Sequence, residues 1–258
     1  MSVTVELENH VLRIGVDRAA KRNAWDLEVI EGVAAAYERM DDPDVRAAVL
    51  YGHGAHFSAG LDLAEVGPHV AEHGPAALAG GGAYDPFGLW SDPAPVPVVL
   101  AVQGVAFTLS IELALAADVV VAAEDVRFRQ LEIGRGIIPF GGATIRAVQQ
   151  LGWGNSMRFL LTAEEFGADE AHRIGLVQEV VAPGVQVDRA VELAELVARQ
   201  APLGVRGTLA NARVAVAQGD EAAREHLAGL LPGIMSSADA AEGLQSFVER
   251  REARFTGS

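Results

Sequence analysis

Cysteine is absent from the 258 residues. Disulfides, thiolate metal ligands and cysteine nucleophiles are therefore excluded. Positive charge is scarce: 20 lysines and arginines stand against 35 aspartates and glutamates, a formal net charge of −15. Non-specific nucleic-acid binding depends on a basic surface that neutralises phosphates, so no nucleic-acid partner is expected. The opening residues "MSVTVELENH" have neither the basic start nor the apolar stretch of an export signal. Long uninterrupted apolar runs are missing too. A helix crossing a bilayer needs about 20 predominantly apolar residues, and the oiliest stretch, residues 101–123, is broken by Gln103, Thr108, Ser110, Glu112 and Asp118. The expectation is a cytoplasmic protein with no membrane partner.

Half of the residues are hydrophobic, with 28 glycines and 11 prolines. That is enough to bury a substantial core, as one large domain or a domain with an appendage. Val3–Glu8 and Val11–Val16 alternate like two strands joined by an Asn9-His10 turn. Asp26 is placed to cap a helix running to about Met40, with Leu27, Ile30, Val33, Ala34 and Tyr37 on one face. "VRAAVLYG", "VPVVLAV" and "DVVVAA" read as buried strands, with a short helix around residues 109–117 between the last two. Strands this continuously apolar, alternating with helix, suggest a parallel sheet covered on both faces. Residues 65–97 are rich in Gly, Pro and His and include "AGGGAYDP", the pattern of a mobile flap. After about residue 185 the pattern is purely helical, so an α/β body is followed by an all-helical tail. No repeat at a solenoid period is apparent.

Within 101–123, Glu112 has no basic residue beside it. An ionised carboxylate buried without a partner is costly, and such a group usually takes up a proton. Either Glu112 pairs with a distant arginine in the core, or its raised pKa is the purpose. Thr108 or Ser110 would cap a helix beginning near Leu109, leaving free N–H groups there. Glu112, three residues on, projects from the same face as Leu109. Two further segments carry the same ambiguity. "HFSAGLDL" (56–63) is a glycine-bearing turn after a strand, either a connection with Asp62 as N-cap or a source of backbone N–H groups for a ligand. "FRQLEIGRGIIPFGGAT" (128–144) reads as a strand ending at Glu132 before several glycines, with Glu132 as a surface acid or as a second functional carboxylate. Two carboxylates are what the addition of water across a C=C bond requires: one activates water, the other protonates the adjacent carbon. "HVAEH" (69–73) fits a zinc pattern on paper, but Gly67-Pro68 and Gly74-Pro75 bracket it and leave little helix. No nicotinamide or flavin site is implied by "GRGIIPFGG".

Taken in order, "DRAAKRNAW", "HFSAGLDL", "QGVAFTLSIELALAADVVVAAEDVRF", "QLEIGRGIIP" and "EGLQSFVERREARF" resemble the crotonase (enoyl-CoA hydratase/isomerase) superfamily over nearly the whole chain, with most likeness to an enoyl-CoA hydratase. The resemblance implies a spiral of ββα units over residues 1–195 and a C-terminal helical oligomerisation region over 196–258, forming a homotrimer or a dimer of trimers. It implies an acyl-CoA thioester substrate, with coenzyme A as part of that substrate and no separate cofactor or metal. By position it assigns catalysis to Glu112 and Glu132, and the oxyanion hole to the backbone N–H groups of Leu61 and Leu109. Coenzyme A and acyl contacts fall on Lys21, Arg22, Ala24, Leu61, Asp62, Leu63, Ala64, Phe140 and Arg250. Several positions depart from the hydratase pattern. Thr108-Leu109-Ser110 replaces three glycines, so a leucine needing positive φ would be strained by about 1–3 kcal/mol. Leu131 replaces a proline, Phe140 replaces a small residue beside the catalytic water, and Arg250 replaces a lysine. Isomerase, hydrolase and non-catalytic acyl-CoA-binding readings remain open at this level.

Overall fold

The structure is a computed structural model that describes residues 2–258. Strands β1 (Val3–Glu8) and β2 (Val11–Val16) form an antiparallel hairpin, with Val3 opposite Val16 and Glu8 opposite Val11. Helix α1 (Leu27–Glu38) follows, and Asp26 caps it by accepting from the Val29 N–H at 2.9 Å. Then come β3 (Ala47–Gly52), α2 (Leu63–His73), β4 (Val98–Val102), β5 (Val105–Phe107), α3 (Leu109–Ala116), β6 (Val119–Ala123) and β7 (Arg127–Arg129). Helices α4 (Ala143–Leu151) and α5 (Trp153–Thr162) lead to β8 (Phe166–Gly167), α6 (Ala168–Ile174) and β9 (Glu179–Val181). The chain ends with α7 (Gln186–Ala198), α8 (Pro202–Gln218), α9 (Asp220–Met235) and α10 (Ala238–Glu249).

The main sheet runs β1-β2-β3-β4-β6-β9, and every pairing beyond the first hairpin is parallel. Strands β3 and β4 are covered on both faces, which explains their unbroken apolar text. One face packs Leu12, Ile14, Leu50 and Leu100 against α1, α3 and the flap. On the other, Val11, Val49, Val99, Ala101 and Val121 meet Ala190, Val191, Ala194 and Ala198 of α7. The expected division after residue 195 therefore falls inside a helix that lies on the main sheet.

A smaller sheet, β5-β7-β8, lies beside the main one, and β5 pairs in parallel with β7. Two main strands hand on to it by a short corner: β4 to β5 through Gln103-Gly104, and β6 to β7 through residues 124–126. Strand β3 makes the same move with a single bridge, Ser58 beside Ala106. Strand, short strand and helix thus recur as a spiral. The β4–β5 corner requires glycine: Gly104 has φ +53, and a Cβ there would run into the Ala55 carbonyl and the His56 ring.

Two expectations for residues 65–97 need correction. The first part is helix: α2 continues through Gly67 and Pro68 and is followed by a 3-10 turn, Pro75–Ala79. His69 and His73 consequently lie one turn apart with rings stacked at 4.3 Å, and no cluster of three potential metal ligands forms among the described residues. The remainder has a local hydrogen-bonded frame. The Asp85 carboxylate accepts from the Phe87, Leu89 and Trp90 N–H groups, and Phe87 is wholly buried.

In the tail, the Thr256 and Gly257 N–H groups donate to buried Asp239, while Arg46 holds the Phe255 carbonyl. Helix α10 leaves Leu244, Phe247 and Val248 exposed, Phe247 to 81%. Among the described residues, no helix is long and apolar enough to cross a membrane.

Candidate active site

The site is assembled where the corners of the spiral meet the first turns of α2 and α3. Loop 58–62 is fixed from both sides. The Ser58 N–H donates to the Val105 carbonyl and its carbonyl accepts from Phe107, an extension of the small sheet. Its hydroxyl donates to the Asn23 carbonyl and accepts from the Gly60 N–H. Trp25 donates to Gly60 and accepts from Asp62. Arg18 clamps the same region, with Nε 2.8 Å from Asp26 and Nη1 3.0 Å from Asp62. Between these contacts the Leu61 N–H makes no hydrogen bond among the described residues. The Leu109 N–H, first in α3, is unpaired in the same sense, as the start of a helix dictates.

The strain expected at Leu109 falls one residue earlier. Thr108 carries φ +51 and ψ −109, whereas Leu109 starts the helix and is buried. Thr108 is the N-cap by position, yet its hydroxyl caps nothing. A Cβ on Gly60, itself at φ +106, would strike Thr108 Oγ1, so the two loops touch at this point.

Glu112 is only 4% exposed. Its partner is no distant arginine: Oε1 accepts from the Gly141 N–H at 2.7 Å and the Ala143 N–H at 3.2 Å. Ala143 opens α4, so one carboxylate oxygen takes free donors at a second helix start. Burial pushes the Glu112 pKa up to about 7, while those two N–H groups and Arg146 pull it down. Glu132 does not end a strand. It opens a 3-10 turn, Glu132–Arg135, after β7, and is 7% exposed. Burial foremost, and then repulsion from Glu112, raise it to about 7 as well. Gln130 Nε2 donates to Glu132 Oε1 at 3.0 Å, while Glu132 Oε2 is buried without a partner. The Glu112 charge thus bears on Glu132, and burial holds both carboxyls well above the usual carboxylate range.

Lys21, Arg22 and Ala24 lie in the turn that the Ala59-to-Arg22 hydrogen bond joins to loop 58–62. The structure therefore brings them beside Leu61, Asp62, Leu63 and Ala64, with both basic side chains exposed. Phe140 is partly buried against the core, and its carbonyl accepts from Trp90 Nε1. Arg250 caps the far end of α10, is exposed, and makes no side-chain hydrogen bond or ion pair among the described residues; nothing joins it to loop 58–62. A cavity of about 750 Å³ lies beyond Phe87, Leu113 and Arg146, and neither glutamate lines it. Sequence reasoning missed Gln130, the Gly141 and Ala143 amides, and the Arg18 clamp. The Gly141-Gly142 pair was the one visible signal: a Cβ on Gly141 would lie 2.6 Å from Glu112 Oε2.

A profile of the family described as Enoyl-CoA hydratase/isomerase matches residues 6–258. Enoyl-CoA hydratase EchA19 of Mycobacterium tuberculosis is 30% identical over 97% of this chain and 95% of its own. A carnitinyl-CoA dehydratase of Salmonella paratyphi A is 34% identical over 96% and 95%. Among solved structures, a probable enoyl-CoA hydratase/isomerase from Mycobacterium abscessus superposes with a TM-score of 0.94 at 49% identity, covering 100% of this chain and 99% of that one. An enoyl-CoA hydratase from Mycobacterium tuberculosis gives 0.90 at 32%, with the same coverage. The chain has the crotonase fold and belongs to the enoyl-CoA hydratase/isomerase family of the crotonase superfamily.

Proposed function

We propose that this protein is an enoyl-CoA hydratase, adding water across the 2,3 double bond of a 2-enoyl-CoA thioester. The observation that carries the reading is the pair of buried carboxyls, Glu112 and Glu132, both pushed to about 7, chiefly by burial. A general acid and a general base that work near neutral pH need such values. Their environments divide the roles. Two N–H donors on Glu112 Oε1 favour its ionised form. Glu132 is also drawn toward ionisation by the Glu132 and Leu131 N–H groups and by Gln130, but it faces the Glu112 charge and leaves Oε2 unpartnered, whereas Glu112 has Arg146 nearby; the proton is therefore assigned to Glu132. Glu112 takes a proton from water as the water oxygen bonds to C3, and Glu132 delivers its proton to C2. Both steps use one side of the double bond, which makes the addition syn. The negative charge that moves onto the thioester oxygen is met by the Leu61 and Leu109 N–H groups. Held by the backbone, those donors need no reorganisation during the reaction. By microscopic reversibility the same pair dehydrates a 3-hydroxyacyl-CoA.

In this reading the exposed Lys21 and Arg22 draw in the phosphates of coenzyme A, while Ala24 and residues 61–64 line its path. Arg250 contributes from the C-terminal helices, and Phe140 narrows the acyl end. Coenzyme A is part of the substrate, and no further cofactor takes part. The apolar residues left exposed on α10 support a homotrimer or a dimer of trimers. A cytoplasmic location belongs to the same proposal. The test is loss of the conjugated thioester absorbance of crotonyl-CoA and of a long-chain 2-enoyl-CoA. Turnover by the wild type that is abolished in both Glu112→Gln and Glu132→Gln supports the reading. Saturable binding of both thioesters without turnover refutes it.

A further inference from the structure

We propose that the Thr108 hydroxyl is a third hydrogen-bond donor to the thioester oxygen, completing an oxyanion site whose other two donors are the Leu61 and Leu109 N–H groups. This rests on the hydratase reading of the same site. Thr108 is held at φ +51 and ψ −109, a conformation that β-branched residues adopt only under strain. Glycine would occupy it without cost, so what the side chain does must outweigh the strain. It does not cap α3, and its hydroxyl makes no hydrogen bond among the described residues. Nor is it packed away, since Thr108 is only partly buried.

Its location explains the choice. Oγ1 occupies the space that a Cβ on Gly60 would take, directly against the residue that precedes the Leu61 N–H. Thr108 itself precedes the Leu109 N–H. The hydroxyl is thus packed against the residue before one unpaired donor and belongs to the residue before the other, and in this proposal an oxygen held by both comes within its reach. Crowding fixes its direction: on that imagined Cβ, the Thr108 Cβ and Cγ2 would also lie at 3.4 and 3.6 Å. Loop 58–60 cannot recede, because Ser58 is bonded to Val105, Phe107, Asn23 and Ser110. Gly60, which its φ of +106 already restricts to glycine, leaves by its missing Cβ the room that Thr108 occupies. A hydroxyl fixed in this way donates to an oxyanion without first giving up another partner.

The experiment compares Thr108→Val, Thr108→Ser and Thr108→Gly with the wild type in two assays. One is steady-state hydration of crotonyl-CoA. The other is the ultraviolet band of enolate formed when acetoacetyl-CoA binds, which reads stabilisation of the thioester oxygen without any hydration step. A lost oxyanion donor typically lowers kcat by on the order of 100-fold; for Thr108→Val, which keeps the shape, we expect a loss of at least about tenfold with little change in KM, and a weaker enolate band. Thr108→Ser retains most of both signals. Thr108→Gly loses them despite relief of the backbone strain. Valine retaining the full kcat and enolate band, or glycine improving on the wild type, overturns the proposal in favour of a packing role. Should the wild type hydrate no enoyl-CoA, the hydratase reading fails by itself. The enolate band then still decides the donor: weaker in valine than in serine supports it, and an equal or absent band overturns it.

Discussion

Gly141→Ala is the most direct probe of how Glu112 is held. The added methyl carbon would lie 2.6 Å from Glu112 Oε2, 2.9 Å from its Cδ and 3.0 Å from Phe87 Cδ1. An ordinary contact needs 3.4 Å or more, so the carboxylate must retreat by roughly 0.8 Å, the ring by less. Phe87 is wholly buried and packs on Trp25 with ring centroids 6.2 Å apart, which leaves the carboxylate as the part that moves. Retreat lengthens the 2.7 Å bond from the Gly141 N–H and, in the proposed mechanism, turns the base away from its water. No backbone strain is added, because Gly141 is not among the positive-φ glycines. Overpacking of this size costs about 1–3 kcal/mol. In a chain of this length about 2–4 °C of Tm is lost per kcal/mol. A catalytic group misplaced by an ångström costs on the order of 100-fold in rate. The expected variant is folded, a few degrees less stable, and about 10- to 100-fold lower in kcat on crotonyl-CoA, with KM nearly unchanged. Unchanged kcat together with the expected fall in Tm would show that Glu112 need not be held as the structure has it.

Other outcomes follow from the same geometry. Glu132 has a folded pKa of about 7 against an ordinary 4.5, so the folded protein binds more protons than the unfolded chain between those values. Its contribution to stability is fully present below about pH 4.5 and is lost as pH rises through 7. Glu132→Gln should therefore gain in Tm relative to the wild type on going from about pH 5 to about pH 8; a constant difference measured by calorimetry would contradict the raised pKa. With Glu112 and Glu132 titrating together near 7, kcat/KM should follow a bell centred near neutrality, and a flat profile from about pH 5 to 9 would exclude the pair as acid and base. Arg18→Met leaves Asp26 and Asp62 without their shared cation. It should lower Tm by several degrees, since hydrogen bonds to charged groups contribute about 1.5–3 kcal/mol each. Through loop 58–62 it should raise KM more than it lowers kcat, and steady-state kinetics separate the two. Lys21→Ala with Arg22→Ala should weaken saturable acyl-CoA binding measured by calorimetry, with little change in kcat and a smaller dependence on salt.

Much of this protein is legible in its residues because the rules involved are short-range. Alternation makes β1 and β2 visible, unbroken apolar text marks β3, β4 and β6, and Asp26 announces α1 through chemistry contained in four residues. An acid inside an apolar run with no basic neighbour is drawn into burial, and desolvation then favours its protonated form, so Glu112 stands out from its neighbours in the chain alone. Its partners lie beyond such reasoning. The amides of Gly141 and Ala143 are some thirty residues away, and only the packing of α3 beside α4 brings them to one carboxylate oxygen. Likewise, which residue of Thr108-Leu109-Ser110 bears the positive φ depends on the contact with Gly60, a neighbour across the spiral. Residues 63–73 are helical in spite of a Gly-Pro pair because Val66 is fully buried in the core, an effect that local propensity does not contain. Sequence by itself determined strands β1, β2, β3, β4 and β6, the Asp26 cap and the prominence of Glu112, since these follow from neighbours along the chain. Only the tertiary structure decided what each acid faces and how the loops carrying Gly60 and Thr108 touch, since partners in space are chosen by packing of the whole core.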